Sequence, residues 1–246
     1  MTTTSKSLTT AEKYKLIHHY IQTQDGAEKL ARSMEHPIRV RVEYCLLTLS
    51  VYTVGEVAKE DAVETSARFL SEPISWADGS VDLSKRIERQ QEQAGDSIRE
   101  QVDAPLFERL LSAPVEEWDE QGFLDATDAL SEGDVRPRLV MGARTYAKFR
   151  KAPRWIDFEE CQSTTLRSGL AATIMGCYVF IAKQVVDTDE VFIVSRRSSQ
   201  VVSPLEVGVR ITAYDAEAKS VTYGYAARIS TQGTPEVRRF RVGDLA

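Results

Sequence analysis

The sequence predicts an α+β chain whose parts follow one another as arm, extended flap, long strut helix, compact lobe and returning strands. Three observations carry that reading. First, "LSKRIERQQEQAGDSIREQV" (83–102) holds a single narrow apolar stripe at helical spacing, Leu83, Ile87, Ala94, Ile98 and Val102, and is otherwise polar. Second, from residue 135 onward the pattern changes to short apolar runs typical of strands, separated by short helices. Third, the arm and the flap have too little apolar surface to close a core of their own, so neighbours in an assembly are the natural source of the missing burial.

Residues 1–8 are polar, and "TTAE" then supplies a capping box with Thr9 at the N-cap and Glu12 at N3. Tyr14, Ile17 and Ile21 recur at helical spacing, and a second short helix starts at Asp25 and stops at Pro37. In "IRVRVEYCLLTLSVYTV" (38–54) the period changes: Ile38, Val40, Val42 and Tyr44 alternate with charged residues as on a half-buried strand, and the alternation slips near Cys45 and Leu46, which leaves a bend or a change of element open there. The span 52–82 reads as exposed and weakly cored, with turns at Pro73 and at Asp78-Gly79. The helix 83–102 must lie across something as a strut, and Pro105 is expected to kink or restart it before "LFERLL". A further helix, "GFLDATDAL", ends at Gly133. "LVM", "ATIMGCYVFIA" and "EVFIVS" are strand-like runs, with Cys177 inside "IMGCYVF" read as one apolar strand. Two strands then flank a polar turn at 215–219, and "PEVRRFRVGDL" is a last alternating strand.

Composition excludes several classes. With 246 residues and 42% apolar content a sizeable core can form, while a net charge of −6 argues against a dedicated nucleic-acid binder. Cys45, Cys161 and Cys177 are far apart, odd in number and form no C-x-x-C pair, so they read as reduced, packed thiols. No apolar signal core opens the chain, and no stretch approaches the ~20 apolar residues of a membrane span, so the chain is expected to be soluble and to stay where it is made.

No motif specifies chemistry. "RLVMGARTYAKFRK" (138–151) places Gly142 between a strand and a basic helix, where many proteins hold a phosphate; one glycine without further loop glycines or G-K-[ST] reads better as a corner. "RTYAKFRKAPRW" could stack on single-stranded nucleic acid, but Tyr146 and Phe149 are better read as packing inward. His18, His19 and His36 lack metal spacing, and adjacent His18 and His19 would point about 100° apart on a helix. The acidic clusters "VEEWDE", "DFEE" and "DTDE" read as solvated surface unless a cleft pairs them. No catalytic, cofactor-binding or metal-binding residue is therefore assigned, and no cofactor is expected.

The order of parts resembles the major capsid protein of tailed bacteriophages, with its Hong Kong 97-type fold. "LARSMEHPIRVRVEYCLLTLSVYTVGEVAKEDA" looks like the family's N-arm running into its extended loop, and "RIERQQEQAGDSIREQVDAPLFERLLSAP" like the spine helix of the peripheral domain. "RPRLVMGARTYAKFRK" looks like the strand and helix that open the axial domain. "SGLAATIMGCYVFIAKQVVDTDEVFIVS" resembles the strands of that domain leading toward the capsomer centre, and "PLEVGVRITAYDAEAKSVTYGYAARIS" the strands that return to the peripheral domain. The resemblance runs from about residue 27 to 246. It implies an N-terminal arm at 1–36, a peripheral-domain strand at 37–51 and an extended loop at 52–82. It further implies a peripheral domain with the spine helix at 83–134, an axial domain at 135–203 and return strands at 204–246.

The implied function is that of a structural shell protein, not an enzyme. It would self-assemble into pentamers and hexamers of an icosahedral shell around the double-stranded DNA of a tailed phage, built in the host cytoplasm and located in the virion. The DNA would be enclosed without specific binding, and portal, scaffold and decoration or cement proteins are the expected partners. No long scaffolding segment precedes the arm, which implies a separate scaffold protein or none. Encapsulin nanocompartments share the fold and are close in length. A small intracellular α+β enzyme with a carboxylate-based site is the reading from a different class. Some members of the capsid family lock the shell with isopeptide bonds between Lys and Asn, promoted by a carboxylate. Lys59 stands beside Glu60 and Asp61, and Lys85 lies at the far edge of the flap, but the sequence contains no asparagine. Gln is one methylene longer and would need different geometry, so the resemblance implies a shell held by non-covalent contacts.

Overall fold

The computed structural model describes Val42 and residues 46–75, 83–152, 155–157, 170–186, 188–196, 201–215, 220–243 and 245. The expected arm helices and the turn at Asp78-Gly79 lie outside these residues, as do most of 38–45 and the tip at 216–219.

The elements run in chain order as α1 (Leu47–Val51), β1 (Thr53–Val54), a 3-10 turn (Lys59–Asp61), β2 (Val63–Leu70), β3 (Ile74–Ser75) and α2 (Leu83–Ser112). Then come β4 (Val115–Glu117), α3 (Glu120–Ala129), β5 (Arg138–Met141), α4 (Ala143–Lys151), β6 (Ile156–Asp157), β7 (Leu170–Ile174) and β8 (Cys177–Ile181). A 3-10 turn (Lys183–Val185), β9 (Glu190–Val194), β10 (Val201–Val202), β11 (Glu206–Asp215), β12 (Ser220–Gln232) and β13 (Val237–Arg241) complete the chain.

The described residues fall into two compact units, one drawn from Met1–Val42, Ser66–Ile98 and Leu205–Arg228, the other from Glu43–Thr65, Arg99–Pro204 and Ile229–Ala246. In the first, β11 and β12 form a long antiparallel pair in register from Glu206↔Arg228 to Asp215↔Ser220, with an irregularity between Ile211 and Ala213. β2 and β3 also pair with β12. Alternation along β12 sends Val221, Tyr223, Tyr225 and Ala227 inward, and Ala67 and Ile74 are buried with them. Ser71 clamps the turn between β2 and β3: its N–H donates to Tyr223 O at 2.9 Å and its Oγ accepts from Tyr223 N at 2.9 Å. The flap is therefore better cored in its second half than its composition suggests.

The second unit is built on a seven-stranded mixed sheet ordered β4-β13-β9-β5-β8-β7-β6. β9 sits near its centre and is buried at every position, which is why "EVFIV" is apolar without alternation. An aromatic cluster closes the core: Phe123 lies 5.9 Å from Phe240 and 6.0 Å from Trp155, and Trp118 packs 5.7 Å from Phe149.

Three expectations are corrected. Val42 is helical where the alternation suggested a strand; the slip near Leu46 is a change of element, to a helix at 47–51, and the extended backbone resumes only at Thr53. Pro105 does not restart α2, which runs through it to Ser112. Pro105 and Gln101, whose carbonyl loses its helical donor, are both on the exposed side, where water can replace the missing bond. The stripe Ala94–Ile98–Val102 then continues as Leu106 and Leu110, all buried. "ATIMGCYVFIA" is two strands, β7 and β8, joined at Met175 (φ 51) and Gly176 (φ 74). Positive φ at both central residues is the two-residue hairpin geometry whose twist suits antiparallel strands.

Candidate functional site

The Gly142 corner has no room for a ligand. A Cβ there would lie 2.3 Å from Val185 O and 2.7 Å from Val186 Cα, so glycine is required by close packing against the turn Lys183–Val185. Ala182 N–H donates to Met141 O at 3.0 Å and Thr145 Oγ1 donates to Thr188 O at 2.9 Å, which seals the same corner. Phe149 is fully buried and Tyr146 packs against the core, so α4 presents no aromatic stacking face there.

Two of the acidic clusters serve the fold; "DFEE" lies outside the described residues apart from Asp157. Glu116 and Glu117 pair with Arg238 and Arg241, and Asp189 meets Arg144 at 3.0 Å and Lys148 at 3.3 Å. Glu190 is bound by Arg239 at 2.7 Å in a nearly enclosed pair. The same guanidinium donates to Leu111 O at 2.6 Å and Ala113 O at 3.2 Å, so Arg239 also caps the carbonyl end of α2. Among the described residues no group of three His, Cys, Asp or Glu could hold a metal. Cys177 is buried on β8, and burial pushes its thiol up to about 11, the state of a packing residue. His18, His19, His36, Cys45 and Cys161 lie outside the described residues.

One anchor has no local sequence signal. Asp103, 2% exposed on α2, accepts from Leu47 N and Thr48 N at 2.9 Å each and from Thr48 Oγ1. It caps the first turn of α1 from 55 residues away, where Leu46 offers no capping side chain.

What the molecule presents outward is surface. On the first unit the exposed face of β2, β12 and β11 carries a trough of about 580 Å³ with Gly208, Gly224 and Ala226 along its lining and Arg68, Leu70 and Arg210 beside them. On the second unit, Arg138 opens β5, facing Tyr178 of β8 on one side and Val194 of β9 on the other. Its guanidinium carbon stands 4.3 Å over the Tyr178 ring and 5.9 Å from that of Phe180. Arg196 follows β9 by two residues, and Nε of both arginines is buried with no acceptor. Burial, then the neighbouring Arg196, pushes Arg138 down to about 10, and burial also lowers Arg196. No described helix is long and apolar enough to cross a membrane.

No protein-family model and no curated protein matches the sequence. Solved structures do. A virus-like particle from Pyrococcus furiosus superposes with TM-score 0.53 at 11% identity, over 85% of this chain and 97% of that one. The capsid of a native GTA particle gives TM-score 0.45 at 10% identity over 84% and 90% of the two chains. A Mycobacterium phage Che8 structure gives 0.45 at 14% identity over 72% and 70%. The architecture is the Hong Kong 97-type capsid fold, of α+β class.

Proposed function

We propose that the chain is a structural shell protein that assembles with copies of itself into a closed icosahedral particle of pentamers and hexamers. The observation that carries this is the overlap with the virus-like particle from Pyrococcus furiosus, which takes in nearly the whole of that chain. The chemistry of the described residues agrees with a structural role, since the carboxylates of two of the acidic clusters are engaged in ion pairs that hold the second unit together. In this reading 1–36 is an arm, 52–82 an extended loop over a neighbour, 83–134 the peripheral domain with α2 as its spine, 135–203 the axial domain and 204–246 the return strands.

The content we propose is the double-stranded DNA of a tailed phage, enclosed without specific binding, with shells assembled in the host cytoplasm alongside portal, scaffold or cement proteins. A subunit of charge −6 cannot neutralise phosphate broadly. A shell without a genome is the second reading, favoured by the 97% coverage of the virus-like particle's chain. Negative-stain microscopy of the purified protein tests the main claim: closed particles, rings or tubes are expected, and monodisperse globules at every concentration and ionic strength would refute it. Nuclease-resistant DNA in purified particles separates the two contents.

A further inference from the structure

We propose that Arg138 and Arg196 form a carboxylate clamp for a second copy of this chain, and that its occupant is the acidic stretch 55–64. The inference deepens the shell reading and rests on it. Two guanidiniums are held at one end of the seven-stranded sheet, Arg138 by stacking on Tyr178 and Arg196 by its place directly beyond β9. Neither makes an ion pair among the described residues, and each turns a buried Nε toward no acceptor. A guanidinium fixed in this way presents planar paired donors that match a carboxylate.

The same unit carries the complementary charge. Glu56, Glu60, Asp61 and Glu64 are all exposed around the turn Lys59–Asp61, and none makes an ion pair among the described residues. Lys59 is the one cation in "GEVAKEDAVE" (55–64), so the stretch is net −3 from four acids and one base. Within one copy neither set is satisfied by the other; between copies each supplies what the other lacks. Among the described residues, Arg136 is already paired with Asp128 at 2.5 Å. That leaves two described cations, too small a patch for a nucleic-acid track that follows a phosphate backbone, and the oligonucleotide in the test below checks this directly.

The test uses the full-length chain, a synthetic GEVAKEDAVE peptide and a single-stranded oligonucleotide of equal length as competitor. The peptide is expected to bind the wild-type chain, more weakly as salt rises, and at least tenfold more weakly to Arg138→Gln/Arg196→Gln. Folding of the variant is checked by circular dichroism, and a spectrum matching that of the wild type is expected. In assembly, Arg138→Glu/Arg196→Glu should raise the concentration needed for particles at least tenfold, and adding Glu60→Lys/Asp61→Lys should restore it. Should wild-type particles form while the peptide fails to bind and the glutamine variant assembles normally, the clamp is refuted and the shell reading stands. Arginine-dependent binding of the oligonucleotide without the peptide would overturn it in favour of nucleic acid. Arginine-dependent peptide binding by a chain that never forms particles would keep the clamp and sink the shell.

Discussion

Asp103→Ala removes the acceptor on which the first turn of α1 depends. Leu47 N and Thr48 N each lose a 2.9 Å bond, in a site where Thr48 is 3% exposed and Leu47 9%. Water has little access to replace the acceptor, so each orphaned donor costs about 1–3 kcal/mol. Relief from burying a carboxylate offsets part of this, leaving an expected loss of about 2–4 kcal/mol. At the ~2–4 °C per kcal/mol typical of this chain length, that is a fall in Tm on the order of 5–15 °C. Urea denaturation followed by circular dichroism, at a concentration where both proteins share one assembly state, gives the number. The sign of the pH dependence is a second check. Burial raises the Asp103 carboxyl above its ordinary value, against the hydrogen bonds from Thr48 and Leu47 and the charge of Arg99, which lower it. A raised folded value means that the folded chain holds the proton more tightly than the unfolded one. Asp103's contribution is then fully present below the unfolded value of about 3.9 and declines as pH rises through the folded one. The cost of the substitution is therefore expected to be larger at acid than at neutral pH. A loss below about 0.5 kcal/mol, the usual range of an inconsequential surface change, would refute the capping argument.

Four further outcomes are expected. Gly142→Ala sets a methyl against the backbone of Val185 and Val186 and should cost about 1–3 kcal/mol in the same denaturation assay, although the backbone angle itself suits alanine. Gly95→Ala should instead stabilise by about 0.5–1 kcal/mol, because the added Cβ meets Val42 Cγ2 at an ordinary 3.6 Å within α2. Cys177, with its thiol raised to about 11, should resist Ellman's reagent at pH 8 until urea is added, as read by mass spectrometry of the labelled peptide. Boiled particles under reducing conditions should run as one band near 27.6 kDa, since no asparagine is available for an isopeptide bond; a ladder of multimers would contradict this.

Much of the second unit is legible in sequence because its signals are local. Continuous apolar runs mark β5 and β9 as strands buried on both faces, and the step from "RLVM" through Gly142 to a basic helix is what the structure shows. The misreadings have physical causes. The slip near Leu46 left the next element open in sequence, and the helix that forms at 47–51 is capped by Asp103, distant in sequence. Pro105 is a breaker only where its lost hydrogen bond cannot be replaced, and exposure is not visible in a single window of sequence. The hairpin at Met175-Gly176 hides because methionine occupies a positive-φ position usually marked by Asn, Asp or Gly.

Charges divide in a way that composition alone conceals. Glu116, Glu117, Asp189 and Glu190 look in sequence like any surface acids, yet each meets a basic partner in the fold, Glu190 across 49 residues. The acids of 55–64 look the same and have no such partner among the described residues. A monomer that only needed solubility could scatter acids and bases and leave every arginine hydrated. Arg138 and Arg196 instead hold buried, unpaired Nε atoms, which costs free energy in the isolated chain. That cost is offset where a neighbour's carboxylate meets the outer amino groups of the same guanidiniums. Removing the charge should then leave folding intact while weakening assembly, an effect opposite to that expected for Arg239, whose loss would strand Glu190 inside the core and damage the fold itself.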